Sequence, residues 1–206
     1  DLGITATTGN TKTKNITAKA DVIREKNKWR HHIHLSALNA STQGTTTAER
    51  YYAKGNSRYS ITKHNYLFGL VTYENNRFSG FHYNVTDTLG YGRRLVNNNS
   101  VSLDLEIGAG SRELKIIGTG QTEVEAQLHL GAGFEWDISD DTQFTQELSS
   151  NIGKLRSVSR SVTSLQTRLV GNLATSVSYT FEYTSNVPQG VAKTFTQTSV
   201  NLVYNF

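Results

Sequence analysis

Residues 124–136 read VEAQLHLGAGFEW, and this stretch decides the fold. Its even positions carry Val, Ala, Leu, Leu, Ala, Phe and Trp, while its odd positions carry only Glu, Gln, His and Gly. A period of two places the two sets on opposite faces of a β-strand. Strands of soluble sandwiches usually have about five or six residues, whereas a tilted strand that crosses a bilayer needs about 9 to 11. The length of this alternation therefore favours the membrane.

The same alternation recurs along the chain, whereas apolar residues at helical spacing behind a capping residue do not. It predicts twelve strands, at approximately 2–8, 14–24, 29–39, 49–60, 65–75, 81–95, 100–113, 121–136, 142–152, 158–170, 173–185 and 194–206. Alternating segments of about ten residues separated by turn residues are typical of a transmembrane β-barrel. We therefore predict an all-β fold in which residues 1–206 form a single antiparallel up-and-down barrel of about 12 strands, with its apolar face outward.

The composition of the 206 residues excludes several other classes of protein. Hydrophobic residues make up 36%, and no stretch approaches the roughly 18 consecutive apolar residues of a membrane helix. The chain has no Cys, which excludes a disulfide scaffold and a thiolate metal site. It also has no Met, so we expect a precursor from which a signal peptide has been removed.

The connections between predicted strands differ in length and chemistry. Short turns rich in Asn, Asp and Gly are predicted at 25–28, 61–64, 96–99, 138–141 and 171–172, and longer loops at 40–47, 76–80, 115–120, 153–157 and 185–193. Short periplasmic turns and long extracellular loops are typical of outer-membrane barrels, which predicts that both termini are periplasmic. Aromatic belts are expected at both ends. Their members would be Trp29, Tyr59, Tyr66, Tyr91, Trp136, Phe144, Tyr204 and Phe206 at one end, and Tyr51, Tyr73, Phe78, Phe81, Tyr83, Tyr183 and Phe195 at the other.

Several motifs resemble those of the salt-induced outer-membrane protein family, which is classified as domain of unknown function 481. They are TAERY (47–51), NYLFGL (65–70), RFSG (77–80), GYG (90–92), FTQEL (144–148) and the closing SVNLVYNF (199–206). The resemblance covers nearly the whole chain and implies a Gram-negative outer membrane, a signal peptide in the precursor, no established activity and a role related to salt conditions. The closing alternation of Val200, Leu202, Tyr204 and Phe206 is similar to the terminal signal by which barrels are presented to their assembly machinery.

The predicted inward face has two charged walls, one basic and one acidic. The lumen constriction candidates are Arg30, His32, His34, Lys54 and Arg58 on the basic wall, and Asp104, Glu106, Glu123 and Glu125 on the acidic wall. Buried charges must be paired, so one interpretation is an internal ion-pair network that fills the lumen. The alternative is a transverse field across a narrow pore for ions or small polar solutes, with Arg30, Lys54 and Arg58 facing Glu106 and Glu125. Barrels of eight strands are filled and barrels of about sixteen are open, and twelve lies between them.

Enzymatic, metal and nucleic-acid functions find little support in the residues. His32 and His34 lie two apart on one strand face, but no third metal ligand is fixed by spacing, and Ser79 with His82 lacks an orienting partner. The net charge of +4 comes from dispersed basic residues, which argues against nucleic acid. We therefore predict no enzyme, no metal, no cofactor and no nucleic-acid partner. Five basic loop residues are candidates to face outer-membrane lipid and lipopolysaccharide: Arg77, Lys115, Lys154, Arg156 and Lys193.

Two functions remain open from the sequence. The first is an envelope-structural barrel with a filled or narrow charged lumen. The second is a narrow channel for ions or small polar solutes. The oligomeric state does not follow from the residues.

Overall fold

The computed structural model describes residues 2–7, 13–42, 44–187, 190 and 192–204. Twelve strands run through them, each long enough for its alternating residues to form two distinct faces. They are β1 (Leu2–Thr7), β2 (Thr13–Lys26), β3 (Trp29–Thr42), β4 (Thr45–Ser60), β5 (Asn65–Asn76), β6 (Phe81–Asn97), β7 (Val101–Ile116), β8 (Thr122–Asp137), β9 (Thr142–Gly153), β10 (Ser157–Val170), β11 (Leu173–Thr184) and β12 (Thr194–Tyr204). No helix that could span a membrane occurs among these residues.

The strands form a closed barrel in sequence order, in which every strand pairs antiparallel with its neighbours along the chain. The barrel closes where β1 pairs with β12, with Leu2 opposite Leu202. The described β1–β12 pairing is this single residue pair, whereas β1 pairs with β2 and β12 with β11 along their whole described lengths. Pairing between strands satisfies backbone N–H and C=O groups that lipid cannot. The predicted all-β, up-and-down barrel of twelve strands is confirmed.

The two ends of the barrel can be named from their connections. The lower end carries the connections 27–28, 61–64, 98–100, 138–141 and 171–172, and the upper end carries 43–44, 77–80, 117–121, 154–156 and 185–193. In the tightest lower turns Asn27 has φ 55° and Gly171 has φ 54°, values that Asn and Gly tolerate best. The predicted turn chemistry is confirmed at both positions.

The predicted contrast between long and short loops is wrong for part of the upper end. The loop expected at 40–47 is replaced by strand, because Thr42 already pairs with Thr45. The connections 77–80 and 154–156 are also as short as the lower turns. Thr is common in the 40–47 segment, and it fits a pleated, half-buried surface and lets these two strands continue. The end of the first predicted strand at residue 8 and the end of the last at 206 lie outside the described residues.

The apolar face of the strands points outward, as predicted. On β8, Val124 is 64% exposed, whereas Glu125 is 9% exposed and His129 only 3%. On β11 the inward positions Ser176 and Ser178 are buried between outward Val177 and Tyr179. An apolar exterior around a polar interior is the arrangement of a barrel that lies in lipid.

The aromatic belts are confirmed in part. Exposed rings lie near the lower end at Trp29, Tyr91 and Trp136, and near the upper end at Tyr51, Tyr73, Phe78 and Tyr183. Tyr66 and Phe81 were predicted in these belts, but their side chains are buried inside the barrel at 1% and 8% exposure. The position of a residue along its strand sets the height of its ring in the barrel, whereas its place in the alternation decides whether the ring points inward or outward. Tyr66 on β5 and Phe81 at the start of β6 occupy inward positions.

Candidate functional site

The lower half of the lumen holds a cluster of five side chains from four strands, which we call the Arg58 cluster: Arg58, Tyr66, Asp104, Glu106 and His129. Arg58 of β4 reaches β7, where its Nη1 lies 3.1 Å from Asp104 Oδ2 and its Nη2 lies 2.9 Å from Glu106 Oε1. The strands β5 and β6 lie between these partners in the barrel wall. The ion pairs therefore reach over the inner face of β5 and β6, three positions along the twelve-strand wall.

Tyr66 belongs to the Arg58 cluster and projects from β5. Its hydroxyl lies 2.9 Å from Glu106 Oε1 and 3.3 Å from Asp104 Oδ2, and the Arg58 guanidinium lies 4.9 Å from the centre of its ring. His129 approaches from β8, with Nε2 at 3.8 Å from Glu106. Its other ring nitrogen lies 2.7 Å from Asn151 Oδ1. Each of the two half-buried carboxylates thus has at least two hydrogen-bonding or ion-pair partners, although Asp104 Oδ1 itself accepts no hydrogen bond from the described residues.

Two glycines of β6 make room for the aromatic rings of β5. A Cβ at Gly92 would overlap the Tyr66 ring, and a Cβ at Gly90 would lie 2.5 Å from the Phe68 ring. Sequence reasoning missed Tyr66 and Phe68 as lumen residues, and it placed His129 on the inward face without naming it as a site residue. The signal was present in the GYG segment at 90–92, because glycines at alternate inward positions mark a place where another group approaches the backbone closely.

Other predicted constriction residues lie in separate contacts. Lys54 Nζ lies 3.8 Å from Glu147 on β9, and the Glu147 side chain is 65% exposed although it faces inward. Arg30 pairs with Glu25 at 3.2 Å near the lower end, with both side chains largely exposed. The predicted apposition of Arg30, Lys54 and Arg58 with Glu106 and Glu125 is therefore formed only between Arg58 and Glu106.

His32 and His34 form a cluster with a neighbour on β2. Asp21 Oδ1 lies 2.8 Å from His32 Nε2 and 2.8 Å from His34 Nδ1. The shared carboxylate oxygen takes part in both hydrogen bonds, which occupies one nitrogen of each ring. No group of three His, Asp or Glu side chains suited to a metal ion is found in the described part of the chain.

Glu125 pairs on its own side of the barrel, close to the upper end. Its Oε1 accepts a hydrogen bond from Arg112 Nη1 at 2.9 Å, and its Oε2 accepts one from the backbone N–H of Leu155 at 2.7 Å. Arg112 is 1% exposed and also donates to the carbonyl oxygen of Arg156 at 2.9 Å. Glu125 thus anchors the connection 154–156. Glu123 is half-buried near the same end and influences Arg156 electrostatically.

A cavity of about 310 Å³, which we call the upper cavity, opens at the upper end. Four arginines line it: Arg50, Arg112, Arg156 and Arg160. Arg50 is 7% exposed and pairs with both Glu74 and Glu182, at 2.9 and 3.2 Å. Burial and the neighbouring Arg112 lower the pKa of Arg156 below its usual range. The guanidinium nevertheless stays charged, because arginine is not deprotonated in proteins.

A second cavity, of about 550 Å³, lies at the lower end. Polar residues of the turns line most of it, among them Asp137, Ser139, Asp140 and Asp141. Arg168 lines the same cavity, and its Nε lies 3.6 Å from Asp141 Oδ1, with both side chains more than half exposed. The lumen thus has a polar opening at each end.

The five predicted lipopolysaccharide-facing residues occupy different surroundings. Lys154 and Lys193 are exposed, and Lys115 is half-buried. Arg77 is exposed but pairs with Glu49 at 3.3 Å. Arg156 turns into the upper cavity, where its guanidinium lies 4.1 Å from the centre of the Phe81 ring.

The predicted assembly signal and the Ser79 candidate are also located. Val200 and Leu202 are exposed on the outer face of β12, and Tyr204 ends this strand. Phe206 lies outside the described residues. The Ser79 hydroxyl donates a hydrogen bond to the carbonyl oxygen of Asn76 at 2.7 Å, which gives it a role within the 77–80 turn.

Comparison with known proteins agrees with this architecture. The family model described as "Protein of unknown function, DUF481" matches residues 1–206. The "Uncharacterized protein YdiY" of Escherichia coli (strain K12) is 26% identical over 206 residues, which cover 100% of this chain and 81% of that protein.

Solved barrels also resemble the structure. The NanC porin has a TM-score of 0.58 at 7% identity, and the KdgM porin has 0.51 at 12%; each comparison covers 100% of this chain and 98% of the other. The translocator domain of the autotransporter NalP from Neisseria meningitidis has a TM-score of 0.54 at 12% identity, covering 100% and 85%. At these low sequence identities the structural similarity shows the fold alone, which is a porin-like barrel.

Proposed function

We propose that this chain, which belongs to the DUF481 family of proteins of unknown function, is an integral outer-membrane barrel with a structural role in the envelope and a narrow, charged lumen. The single observation that carries the proposal is the pairing of Arg58 with Asp104 and Glu106 over two intervening strands inside the barrel. Breaking a buried ion pair is costly, so these contacts brace the barrel wall from inside. The proposal includes no enzymatic activity.

The exterior and the ends of the barrel support the location. Exposed apolar residues such as Ile33, Leu89 and Ile107 form the band that lipid would cover. In the proposed orientation the lower end and both termini face the periplasm. The two-residue turns 27–28 and 171–172 lie at that end, and the nine-residue connection 185–193 lies at the other. Short periplasmic turns and longer outer loops are the usual arrangement.

A second candidate function is a narrow channel for ions or small polar solutes. The observation that favours it is the exposure of Glu147, because an inward carboxylate that is 65% exposed must contact water within the barrel. The cavities at both ends would give solutes access to this water. Two of the similar solved structures are named as porins.

Conductance in planar bilayers separates the two functions. The structural proposal expects the native chain to insert without steady current steps. It expects Arg58→Ser to produce such steps, because this change removes a long, paired side chain from the lumen. Arg168→Ser at the lower opening is the matched control and should remain silent. Steady, ion-selective steps from the native chain would overturn the structural proposal and favour the channel.

A further inference from the structure

We propose that the outer side of the lower end, from β2 to β6, binds the phosphate of an anionic phospholipid. Five exposed cations lie there, which we call the lower cation patch: Arg24, Lys26, Lys28, Lys63 and Arg93. Clusters of Lys and Arg beside a bilayer attract anionic lipids. The inference rests on the proposed location in the membrane and adds a class of lipid to it.

The lower cation patch is one continuous surface, because adjoining elements are hydrogen-bonded to one another at this end. Lys28 lies in the first lower turn, and its carbonyl oxygen accepts a hydrogen bond from the backbone N–H of Ser60 at 2.8 Å. The carbonyl oxygen of His64, in the second lower turn, accepts one from the backbone N–H of Arg94 at 2.7 Å. These bonds hold the first turn against the end of β4 and the second turn against β6.

Aromatic rings mark the height of the patch in the membrane. Lys26 pairs with Trp29 of β3, and Trp29 pairs with Tyr59 of β4. Trp29 is 47% exposed, its ring centre lies 5.0 Å from that of Tyr59, and Lys28 Nζ lies 5.9 Å from the centre of the Tyr59 ring. Trp and Tyr collect at the headgroup level of a bilayer. The lower cation patch therefore lies at the height of lipid phosphates.

The apolar surface just above the patch favours a lipid over a soluble anion. Val22 and Ile33 pair on neighbouring strands and are 60% and 51% exposed. Arg24 lies between Val22 and Lys26 on the outer face of β2, and a long arginine side chain can extend its charged end toward the headgroups. An occupant that covers both surfaces needs a phosphate next to acyl chains. A free phosphate ion and an acidic soluble protein both lack such chains.

The charge of the lower cation patch is not neutralised by neighbouring carboxylates. Glu25 lies among these residues, but it pairs with Arg30 at 3.2 Å. Asp21, the next carboxylate on β2, is hydrogen-bonded to His32 and His34. Within the described residues, no carboxylate oxygen lies within 4.0 Å of a side-chain nitrogen of the patch. The phosphate of a lipid would supply the counter-charge.

The opposite side of the lower end carries the reverse charge. Asp137, Asp140 and Asp141 are exposed there, close to Trp136 in the chain. Among the described residues, only Asp141 of these three has a cation within 4.0 Å, which is Arg168. The two tryptophans of the chain therefore lie on sides of opposite charge, and each can report on the lipid beside it.

Quenching of tryptophan fluorescence by brominated lipids tests this inference in vesicles. Trp136→Phe leaves Trp29 as the reporter beside the patch, and Trp29→Phe leaves Trp136 as the reporter on the acidic side. The full chain is reconstituted in phosphatidylcholine with about 20% phosphatidylglycerol, and either one lipid or the other is brominated. We expect phosphatidylglycerol to be enriched at least about threefold around Trp29 and not around Trp136. Raising NaCl to about 0.5 M should reduce the enrichment, because salt screens exposed charges.

Charge-removing variants identify the residues responsible. In the chain that keeps Trp29 alone, Lys26→Gln with Lys28→Gln should lower the enrichment to about half or less. Lys63→Gln with Arg93→Gln repeats the test from the other end of the patch if the first pair does not fold.

Two cations at the upper end supply the matched control. Lys115→Gln with Lys154→Gln removes the same charge and should leave the enrichment around Trp29 unchanged. Equal quenching of Trp29 by the two brominated lipids would overturn the proposal, and so would equal enrichment around Trp136 or native enrichment in a folded patch variant. Quenching of neither tryptophan by either lipid would contradict the location in the membrane, and this inference with it.

Discussion

Replacing Arg58 by Met should destabilise the barrel by about 2–3 kcal/mol. The substitution leaves Asp104 and Glu106, whose side chains are 17% and 11% exposed, without their closest cation. Breaking a buried pair costs about 3–5 kcal/mol, whereas an exposed pair contributes about 0–1. Arg58 itself is 25% exposed. Arg94, at 4.0 Å from Asp104, would take over part of its role, which places the expected cost between the two limits.

Urea unfolding from lipid vesicles, followed by tryptophan fluorescence, measures this cost. The two tryptophans, Trp29 and Trp136, are exposed near the lower end, so their emission reports removal from the bilayer. A loss of 2–3 kcal/mol should lower the urea midpoint by about 1 M. The control is Arg168→Met, which removes an ion pair whose side chains are 57% and 61% exposed and should change stability by less than about 1 kcal/mol.

A second substitution tests whether the unpaired charge is the cause. Adding Glu106→Gln to Arg58→Met removes one of the two stranded carboxylates, and it should recover part of the lost stability. The reasoning is refuted if Arg58→Met is no less stable than Arg168→Met. It is also refuted if the added Glu106→Gln lowers the urea midpoint further.

Three further predictions use other parts of the barrel. Gly110→Ala should lower the free energy of unfolding by about 1–3 kcal/mol in the same assay, because its Cβ would overlap a backbone carbonyl of β6. Gly133→Ala places its Cβ in open space and should change the stability little, so equal effects of the two changes would contradict this reasoning. Leu89 is 75% exposed on the outer face, so Leu89→Arg places a charge against lipid and should lower the free energy of unfolding in vesicles by about 2–4 kcal/mol. An unchanged stability would show that this face does not contact lipid. Replacing Lys115 and Lys154 by Gln should reduce the lipopolysaccharide retained on purification, and unchanged retention would count against a basic rim.

The strand pattern was predictable because alternation follows from the backbone itself. VEAQLHLGAGFEW gives both the period of β8 and its faces, and the structure exposes Val124 while burying Glu125. The loop predicted at 40–47 failed because composition does not separate a Thr-rich strand from a Thr-rich loop. In that segment the pairing of Thr42 with Thr45 depends on the neighbouring strand and not on local preference.

The site was less predictable than the fold because it depends on which strand faces which. The residues of the two charged walls could be assigned to the inward face from their phase alone. That Arg58 meets Glu106, while Arg30 stays with Glu25, depends on height within the barrel and on side-chain reach. Tyr66 was placed on the wrong face, since an aromatic residue near a strand end fits either a membrane belt or a glycine-lined recess.

The segregation of charge by strand has different consequences at different heights of the lumen. In the lower half, Arg58 reaches Asp104 and Glu106 directly, so these charges of the two walls neutralise one another. A transverse field acts on a passing solute only where opposite charges stay apart. At the upper end Arg156 and Arg160 stack on rings and have no carboxylate within 4.0 Å in the described chain. A solute that enters through the upper opening would therefore meet these two arginines before the Arg58 cluster, and we expect discrimination between anions and neutral solutes there.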